Sequence, residues 1–143
     1  MSLIRLVSMR EIKFKAKCVD IDTQSTPSDG WVEGYYRLDV SGGKLCHYIF
    51  NCPMEWEIDP NTLGQFTGLY DKDGRGIYEG DIIKRGQFPW EASYVVKWDI
   101  IGARFILVSI ESGGYLTPHD FYFEKVMVVG NTIDNPELLT NKN

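Results

Sequence analysis

Residues 31–51 read WVEGYYRLDVSGGKLCHYIFN, two β-prone runs on either side of a pair of glycines. The first run is Trp31 to Val40, the second is Leu45 to Asn51, and Ser41-Gly42-Gly43-Lys44 lies between them. Glycine adopts the left-handed backbone conformations that a tight hairpin turn requires. The segment therefore predicts a β-hairpin.

Upstream of this hairpin, residues 11–18 alternate in side-chain character. A period of two places alternate side chains on opposite faces of a half-buried strand. A run rich in Asp, Thr, Ser and Pro at 20–30 then predicts a loop. One predicted face of the strand carries Glu11, Lys13, Lys15 and Lys17, and the other carries Ile12, Phe14, Ala16 and Cys18.

Downstream of the hairpin, four more short segments are predicted to be strands, and glycine or proline separates them. No amphipathic run is long enough for a proper helix, although Asp59-Pro60 and Asn135-Pro136 each resemble the capped start of a short helical turn. Short strands at this spacing predict an all-β barrel or sandwich. The four segments are Ile77 to Lys84, Tyr94 to Trp98, Arg104 to Ile110 and Phe121 to Val129.

The composition fits one compact, acidic domain. The chain has 143 residues, 43% of them hydrophobic, with 4 Trp, 8 Tyr and 7 Phe, and a net charge of −5. This apolar content is enough for a sizeable core, and the negative charge weighs against a general affinity for polyanions. The 3 cysteines without CxxC spacing, and the lack of a secretory signal or a long apolar stretch, predict a cytoplasmic protein without membrane contact. Residues 1–8 are expected to be an extension ahead of a natural start at Met9.

The longest recognisable motif begins at Asp59 and reads DPNTLGQFTGLYDKDGRGIYEGDIIK. It resembles the signature of the YopX family of phage and prophage proteins. Three other pieces resemble the same family in the same order, namely residues 9–16 (MREIKFKA), residues 95–99 (VVKWD) and, near the C-terminus, residues 129–131 (VGN) with residues 135–139 (NPELL). The resemblance therefore runs from residue 9 almost to the C-terminus, and it is weakest over residues 19–50.

The resemblance implies an all-β, complex fold of coiled antiparallel sheets that contains an SH3-like barrel, in a protein encoded by a bacteriophage or an integrated prophage. We expect an N-terminal β-sheet portion at residues 9–58 and an SH3-like barrel portion at residues 59–143, packed together as one unit. Residues 1–8 depart from the family pattern. The resemblance carries over no catalytic residues, so each candidate site is weighed on its own chemistry.

The acidic turn inside the motif is the first candidate site. Counted from Asp71 as a calcium loop, Gly76 fits, but Arg75 and Ile82 stand where a ligand and a bidentate glutamate belong. The residues of a tight turn are the better interpretation. We therefore assign a structural role in the motif to Asp59, Gly68, Asp71, Asp73, Gly74, Gly80 and Asp81.

The carboxylates of Glu79 and Asp81 flank Gly80 and could share one face of a strand. Paired carboxylates suit acid–base chemistry, so one alternative is a small hydrolase with both groups in one open cleft. The structural interpretation is that Asp81, at a loop-to-strand junction, accepts backbone N–H bonds and fixes the turn. We expect the structural role.

Residues of metal-binding or nucleophilic type form no recognisable catalytic pattern. The adjacent Cys46 and His47 would point to opposite faces of a strand and could not bind one zinc ion together. Neither Ser109 nor Ser112 lies in a GxSxG elbow, and His119 lies beside a proline in a predicted loop. The sequence therefore predicts no enzyme activity, no metal and no cofactor.

The strongest local charge feature is the basic face of the first predicted strand, formed by Arg10, Lys13, Lys15 and Lys17. These residues could contact nucleic-acid phosphates, because small β-barrels bind oligonucleotides. Alternatively, the segment is an edge strand whose lysines discourage pairing with another chain.

The loop residues Phe88, Pro89 and Trp90 either form a partner-binding surface or fold back to close the end of the barrel. Long β edges and many aromatic residues favour a homo-oligomer. We therefore predict a non-enzymatic accessory protein that binds a phage or host protein or assembles with itself. The alternative is a nucleic-acid-associated accessory protein that uses the basic strand face.

Overall fold

The structure is a computed structural model, and it describes residues 10–21, 25–86, 91–120 and 125–140. The chain divides into two compact units, Met1–Gly68 and Leu69–Asn143. Both are built mainly from antiparallel β-strands. Within the described ranges, every helix is too short or too polar to span a bilayer.

The first sheet contains β1 (Phe14–Lys17), β2 (Trp31–Ser41), β3 (Lys44–Asn51), β4 (Met54–Glu57), β5 (Gly64–Tyr70) and β6 (Gly76–Tyr78). The order of these strands is β4-β3-β2-β1-β5-β6. Strand β5 runs from the first unit into the second, where β6 follows it. A short 3-10 turn, Pro60–Thr62, precedes β5, as the proline signature predicts.

The predicted hairpin is confirmed. Strands β2 and β3 pair antiparallel as far as Ser41 opposite Lys44. Gly42 and Gly43 have φ angles of 59° and 79°, in the left-handed region that favours glycine. Because only these two residues lie between the strands, the chain reverses directly.

The core of the first unit lies under the apolar face of β1, as the period of two predicts. Ala16 is fully buried there, and Phe14 packs against the same cluster. Burial of each large aliphatic side chain in the cluster contributes about 1.5–3 kcal/mol, so the cluster stabilises the packing of β1, β2 and β3. The buried members are Ala16, Cys18, Val32, Ile49 and Ile58.

The second sheet contains β7 (Asp81–Arg85), β8 (Ala92–Asp99), β9 (Arg104–Ser109), β10 (Tyr115–Leu116) and β11 (Val126–Asn131). Its order is β10-β9-β8-β7-β11, so β11 returns to pair with β7. Two 3-10 turns flank β11, at Pro118–Asp120 and at Pro136–Leu139. The buried core comprises Ile77, Ile83, Val96, Leu107, Val126 and Val128.

Several strand predictions differ from the structure in their bounds. Ile77 to Lys84 forms two strands because Glu79 and Gly80 make a turn between them, with Gly80 at a φ of 91°. The predicted strand Phe121 to Val129 begins outside the described residues, and its described part belongs to β11. Strands β4, β5 and β10 have no counterpart among the predicted strands.

Two expectations about sheet edges need correction. The edge-strand interpretation of the lysine face is wrong, because β1 pairs with β2 on one side and with β5 on the other. The SH3-like barrel expected at residues 59–143 is not confirmed. In the described part of the second sheet, β10 and β11 lie at opposite edges, so the sheet does not close.

Candidate protein-interaction surface

Strand β2 is longer than the strands beside it, so part of the hairpin extends beyond the neighbouring strands that the structure describes. β2 has 11 residues and β1 has 4. β1 pairs with β2 only from Trp31 to Gly34, and β4 pairs with β3 only from Tyr48 to Asn51. The carbonyl of His47 still accepts from the Ile58 N–H at 2.9 Å. Residues 35–41 and 44–46 therefore extend beyond the described neighbours, and we call them the hairpin arm.

The outer side of β2 in the hairpin arm carries backbone groups that no described strand uses. Along an antiparallel strand, the N–H and C=O groups point alternately to one side and to the other. Just before β2, the carbonyl of Gly30 accepts a bond of 2.9 Å from the N–H of Cys18. The backbone N–H and C=O groups of the even-numbered residues of β2 therefore point to the side on which β1 lies. The same alternation directs the groups of Tyr36, Leu38 and Val40 outward, and we call these groups the open edge.

One group of the open edge is capped locally. The Val40 N–H donates to Oδ1 of Asp39 at 2.8 Å, and Oδ2 of Asp39 accepts from Arg37 at 2.8 Å. These bonds, first from Arg37 and then from Val40, hold the pKa of Asp39 below its usual value. The carboxylate is exposed, so a pairing strand can take over the Val40 N–H without any rearrangement of the core.

Beside the open edge, the hairpin arm presents an exposed apolar face. Leu38, Val40 and Leu45 are 50, 65 and 53% exposed, and the pairing of Val40 with Leu45 places them on one face. We call these three residues the apolar strip. Toward the core, the Tyr36 hydroxyl lies 2.5 Å from Nδ1 of His47, and the two rings stack. Exposed apolar side chains beside an unpaired strand are typical of a protein-interaction surface.

The other face of the hairpin arm is charged. Arg37 donates to both carboxylate oxygens of Glu55, at 3.1 and 2.7 Å. Its guanidinium carbon lies 4.5 Å from the centroid of the Tyr48 ring. The bonds from Arg37 lower the pKa of Glu55. The hairpin arm therefore has one apolar face and one ionic face, and a partner would meet both at the open edge.

The lysines predicted to contact nucleic acid alternate along β1 and just before it, and each of them interacts with another residue of the first unit. Lys13 forms an ion pair of 3.0 Å with a glutamate of β2. The ammonium groups of Lys15 and Lys17 lie 5.0 and 5.8 Å from the centroid of the Trp31 ring. All three lysines are half-buried, whereas Arg10 is exposed. These contacts reduce the positive charge offered to a phosphate backbone.

In the acidic turn, the carboxylate of Asp71 accepts three backbone hydrogen bonds. Oδ1 accepts from Asp73 and Arg75, both at 2.9 Å, and Oδ2 accepts from Val128 at 3.1 Å. Burial alone would raise the pKa of Asp71, but these three N–H groups and the Arg75 guanidinium hold it below its usual value. The carboxylate therefore fastens the turn to β11, while Gly74 supplies the left-handed backbone at a φ of 81°.

The buried carboxylate of Asp81 likewise accepts a backbone hydrogen bond. Asp81 is 1% exposed, and its Oδ2 accepts from the Tyr78 N–H at 2.8 Å. Because Asp81 is buried in β7 while Glu79 lies in the preceding turn, the two carboxylates do not face one open cleft.

Replacement of Asp81 with alanine is expected to lower the free energy of unfolding by about 2 kcal/mol, because the Tyr78 N–H would lose its acceptor inside the protein. Urea unfolding followed by tryptophan fluorescence measures the change. Glu79→Ala is the matched control and should alter stability by less than about 0.5 kcal/mol. An unchanged unfolding midpoint for Asp81→Ala would contradict the structural role.

The remaining motif residues shape turns. Oδ1 of Asp59 accepts from the Asn61 N–H at 3.0 Å and so caps the 3-10 turn. Gly68 and Gly80 have φ angles of 88° and 91°. The predicted partner-binding loop lies outside the described residues: Phe88, Pro89 and Trp90.

The other chemically suggestive residues are held in strands and turns. Cys46 and His47 are consecutive in β3 and so point to opposite faces. Ser109 donates to Glu111 at 3.2 Å and accepts from the Ser112 N–H, which is a turn arrangement. In the part of the chain that the structure describes, no three His, Cys, Asp or Glu side chains form a group that could hold a metal.

The open edge is a site that the sequence analysis did not single out. Its local signal is only the alternation of Tyr36, Leu38 and Val40 in the approach to the glycine turn. That alternation predicts a strand, but whether a neighbour covers the strand depends on residues far away in the sequence.

The family model described as YopX protein matches residues 9–140 of this chain. Among solved structures, protein EF1440 from Enterococcus faecalis is similar, with a TM-score of 0.47 and 20% sequence identity over 92% of this chain and 100% of that one. Protein yopX from Bacillus subtilis is similar with a TM-score of 0.48 and 15% identity, over 94% of this chain and 100% of that one. No curated protein matches this chain significantly.

Proposed function

Because this chain belongs to the YopX family, as its central motif predicts, we propose that it is a phage- or prophage-encoded accessory protein of the host cytoplasm. It acts without catalysis, by binding other protein chains. The observation that carries this proposal is the open edge of β2 beside the exposed apolar strip. A strand that pairs with such an edge gains backbone hydrogen bonds, and the neighbouring side chains supply specificity.

The environment of the acidic residues supports a role without catalysis. The carboxylates of Asp71 and Asp81 accept backbone N–H bonds and stabilise turns, so neither is poised as a general base. In an acid–base site, at least one carboxylate must reach the substrate from an accessible position. These two buried groups fit scaffolding better.

We also propose that the second unit is an open SH3-like barrel. The support is the order of its strands: β7, β8, β9 and β10 follow one another as a meander, and β11 returns to pair with β7. This fold hosts many unrelated functions, so it does not identify the partner.

The nucleic-acid alternative has less support. Its lysines are half-buried and interact with a glutamate and with an aromatic ring inside the first unit. The net charge of −5 would also repel a polyanion at long range.

Substitution of Leu38 with proline tests the proposed function. Leu38→Pro removes one outward N–H from the open edge and leaves the ladder with β3 intact, because that N–H points away from β3. Tagged wild-type and variant proteins are used to capture partners from host cells that carry the phage, and bound proteins and nucleic acids are identified. We expect one defined protein to be retained by the wild type and lost with Leu38→Pro.

The control is Ile101→Ser, which removes an exposed isoleucine from the second unit and should retain the partner. Circular dichroism establishes that each bait is folded. Equal recovery with the wild type and Leu38→Pro, or recovery that disappears after nuclease treatment, would contradict binding at the open edge.

A further inference from the structure

We propose that the partner at the open edge is a second copy of this chain, whose β2 pairs antiparallel with β2 in a register centred on Leu38. This inference rests on the proposed function, because it assigns an occupant to the same edge. Two identical strands that pair antiparallel are related by a two-fold axis, which is the commonest symmetry of soluble dimers. The sequence of the hairpin arm fits this arrangement in its hydrogen bonds, its charges and its apolar side chains.

The backbone geometry permits the register. Residues that point toward each other across an antiparallel pair exchange both of their hydrogen bonds. With Leu38 opposite Leu38 of the second copy, Tyr36 lies opposite Val40, and all of these residues belong to the outward-pointing set. The pairing would thus form about six backbone hydrogen bonds across the two-fold axis.

The charges select this register over its neighbours. With Leu38 at the centre, Arg37 of each copy lies directly opposite Asp39 of the other, and opposite charges across a strand pair are stabilising. A shift of the centre by one residue places either Arg37 opposite Arg37 or Asp39 opposite Asp39. Like charges directly opposite each other are destabilising, so both shifted registers are disfavoured.

Formation of the pair also replaces the hydrogen bond that caps the open edge in the single chain. In the single chain, Oδ1 of Asp39 holds the Val40 N–H. In the pair, that N–H bonds to the carbonyl of Tyr36 in the second copy, and Oδ1 of Asp39 becomes available to Arg37 of the second copy. Every polar group that the pairing displaces therefore finds a new partner of the appropriate type.

The register also brings the apolar side chains of the two copies together. Tyr36, Leu38 and Val40 lie on one face of β2, and the two-fold axis brings the same face of the second copy alongside. The half-exposed Leu38 side chains would lie next to each other, with Val40 of each copy beside Tyr36 of the other. An interface of this kind is small, so we expect a dissociation constant on the order of 10–100 μM.

A charge-swap experiment tests the register. Sedimentation velocity is recorded for the wild type, Arg37→Asp and Asp39→Arg, each from about 10 to 500 μM so as to span the expected affinity. We expect the wild type to dimerise and each variant alone to bind itself at least about tenfold more weakly, because its two opposed pairs become like-charged. An equimolar mixture of the two variants should dimerise again, because every opposed pair then joins an Asp to an Arg.

The mixture also controls for folding, since misfolded variants could not restore each other. Glu111→Gln is the control: it removes an exposed carboxylate of the second unit, outside the hairpin arm, and it should leave dimerisation unchanged. A wild type that stays monomeric at 500 μM, or a dimer that neither charge variant weakens, would overturn the inference. A monomer whose captured partner is still lost with Leu38→Pro would overturn self-pairing alone and leave the proposed function standing.

Discussion

Replacement of Asp71 with alanine is expected to lower the free energy of unfolding by about 3 kcal/mol. Each buried N–H that loses its acceptor costs about 1–3 kcal/mol, and Asp71 serves three N–H groups, of which that of Val128 is the most deeply buried. Guanidinium unfolding measures the change. Asp73→Ala, at an exposed carboxylate two residues away, should change stability by less than about 0.5 kcal/mol. Equal effects of the two substitutions would contradict the role given to Asp71.

The contribution of Asp71 is also expected to depend on pH. Its pKa is lower in the folded protein than in the unfolded chain, so its stabilisation is fully present above the unfolded pKa and is lost as the pH falls through the folded one. The stability difference between the wild type and Asp71→Asn should therefore be largest near neutral pH and shrink below about pH 4. Unfolding curves recorded at several pH values test this, and a difference that stays constant down to pH 2 would contradict it.

Replacement of Gly34 with alanine is expected to lower the free energy of unfolding by about 2–3 kcal/mol. A Cβ atom on Gly34 would lie 3.0 Å from the carbonyl carbon of Phe50, and nearer still to the carbonyl oxygen. Both atoms belong to the backbone of β3, so the strands would have to separate where β2 leaves β1. Strain of this kind in packed structure typically costs 1–3 kcal/mol.

The control for this substitution is Gly114→Ala. A Cβ on Gly114 would meet only the hydroxyl of the exposed Ser112, at 3.4 Å, which is an ordinary contact distance. Urea unfolding measures the free energy of unfolding of both variants. We expect a change within about 0.5 kcal/mol for Gly114→Ala. If Gly34→Ala were equally mild, the close approach of β2 and β3 would not be a constraint on the fold.

Local patterns in the sequence predict the hairpin and the buried face of β1 well. The glycine pair and the two-residue alternation act between near neighbours, so a short window contains their physical cause. The same window cannot show that β1 is an interior strand. Its pairing with β5 joins Phe14 to Gln65, and β5 itself contains Gly64 and Gly68, which weaken any strand signal.

The candidate site was beyond sequence reasoning for a related reason. The open edge exists because β1 begins at Phe14, opposite Gly34, while β2 itself continues to Ser41. The difference in length between two paired strands is a property of the pair. Once the pairing is known, Leu38 can be placed on the open edge between the oppositely charged Arg37 and Asp39, which the linear sequence alone does not show.

The hydrogen bond between Asp71 and Val128 joins two positions that are 57 residues apart. β11 likewise reaches back to β7. A nascent chain that emerges from the ribosome therefore cannot complete its second half until nearly all of it has been translated. In the first half, β1 to β4 gain their partner strands much earlier, so this half can fold while elongation continues. The order of translation therefore separates the folding of the two halves in time, because the acidic turn gains its bond to β11 only after that strand has been synthesised.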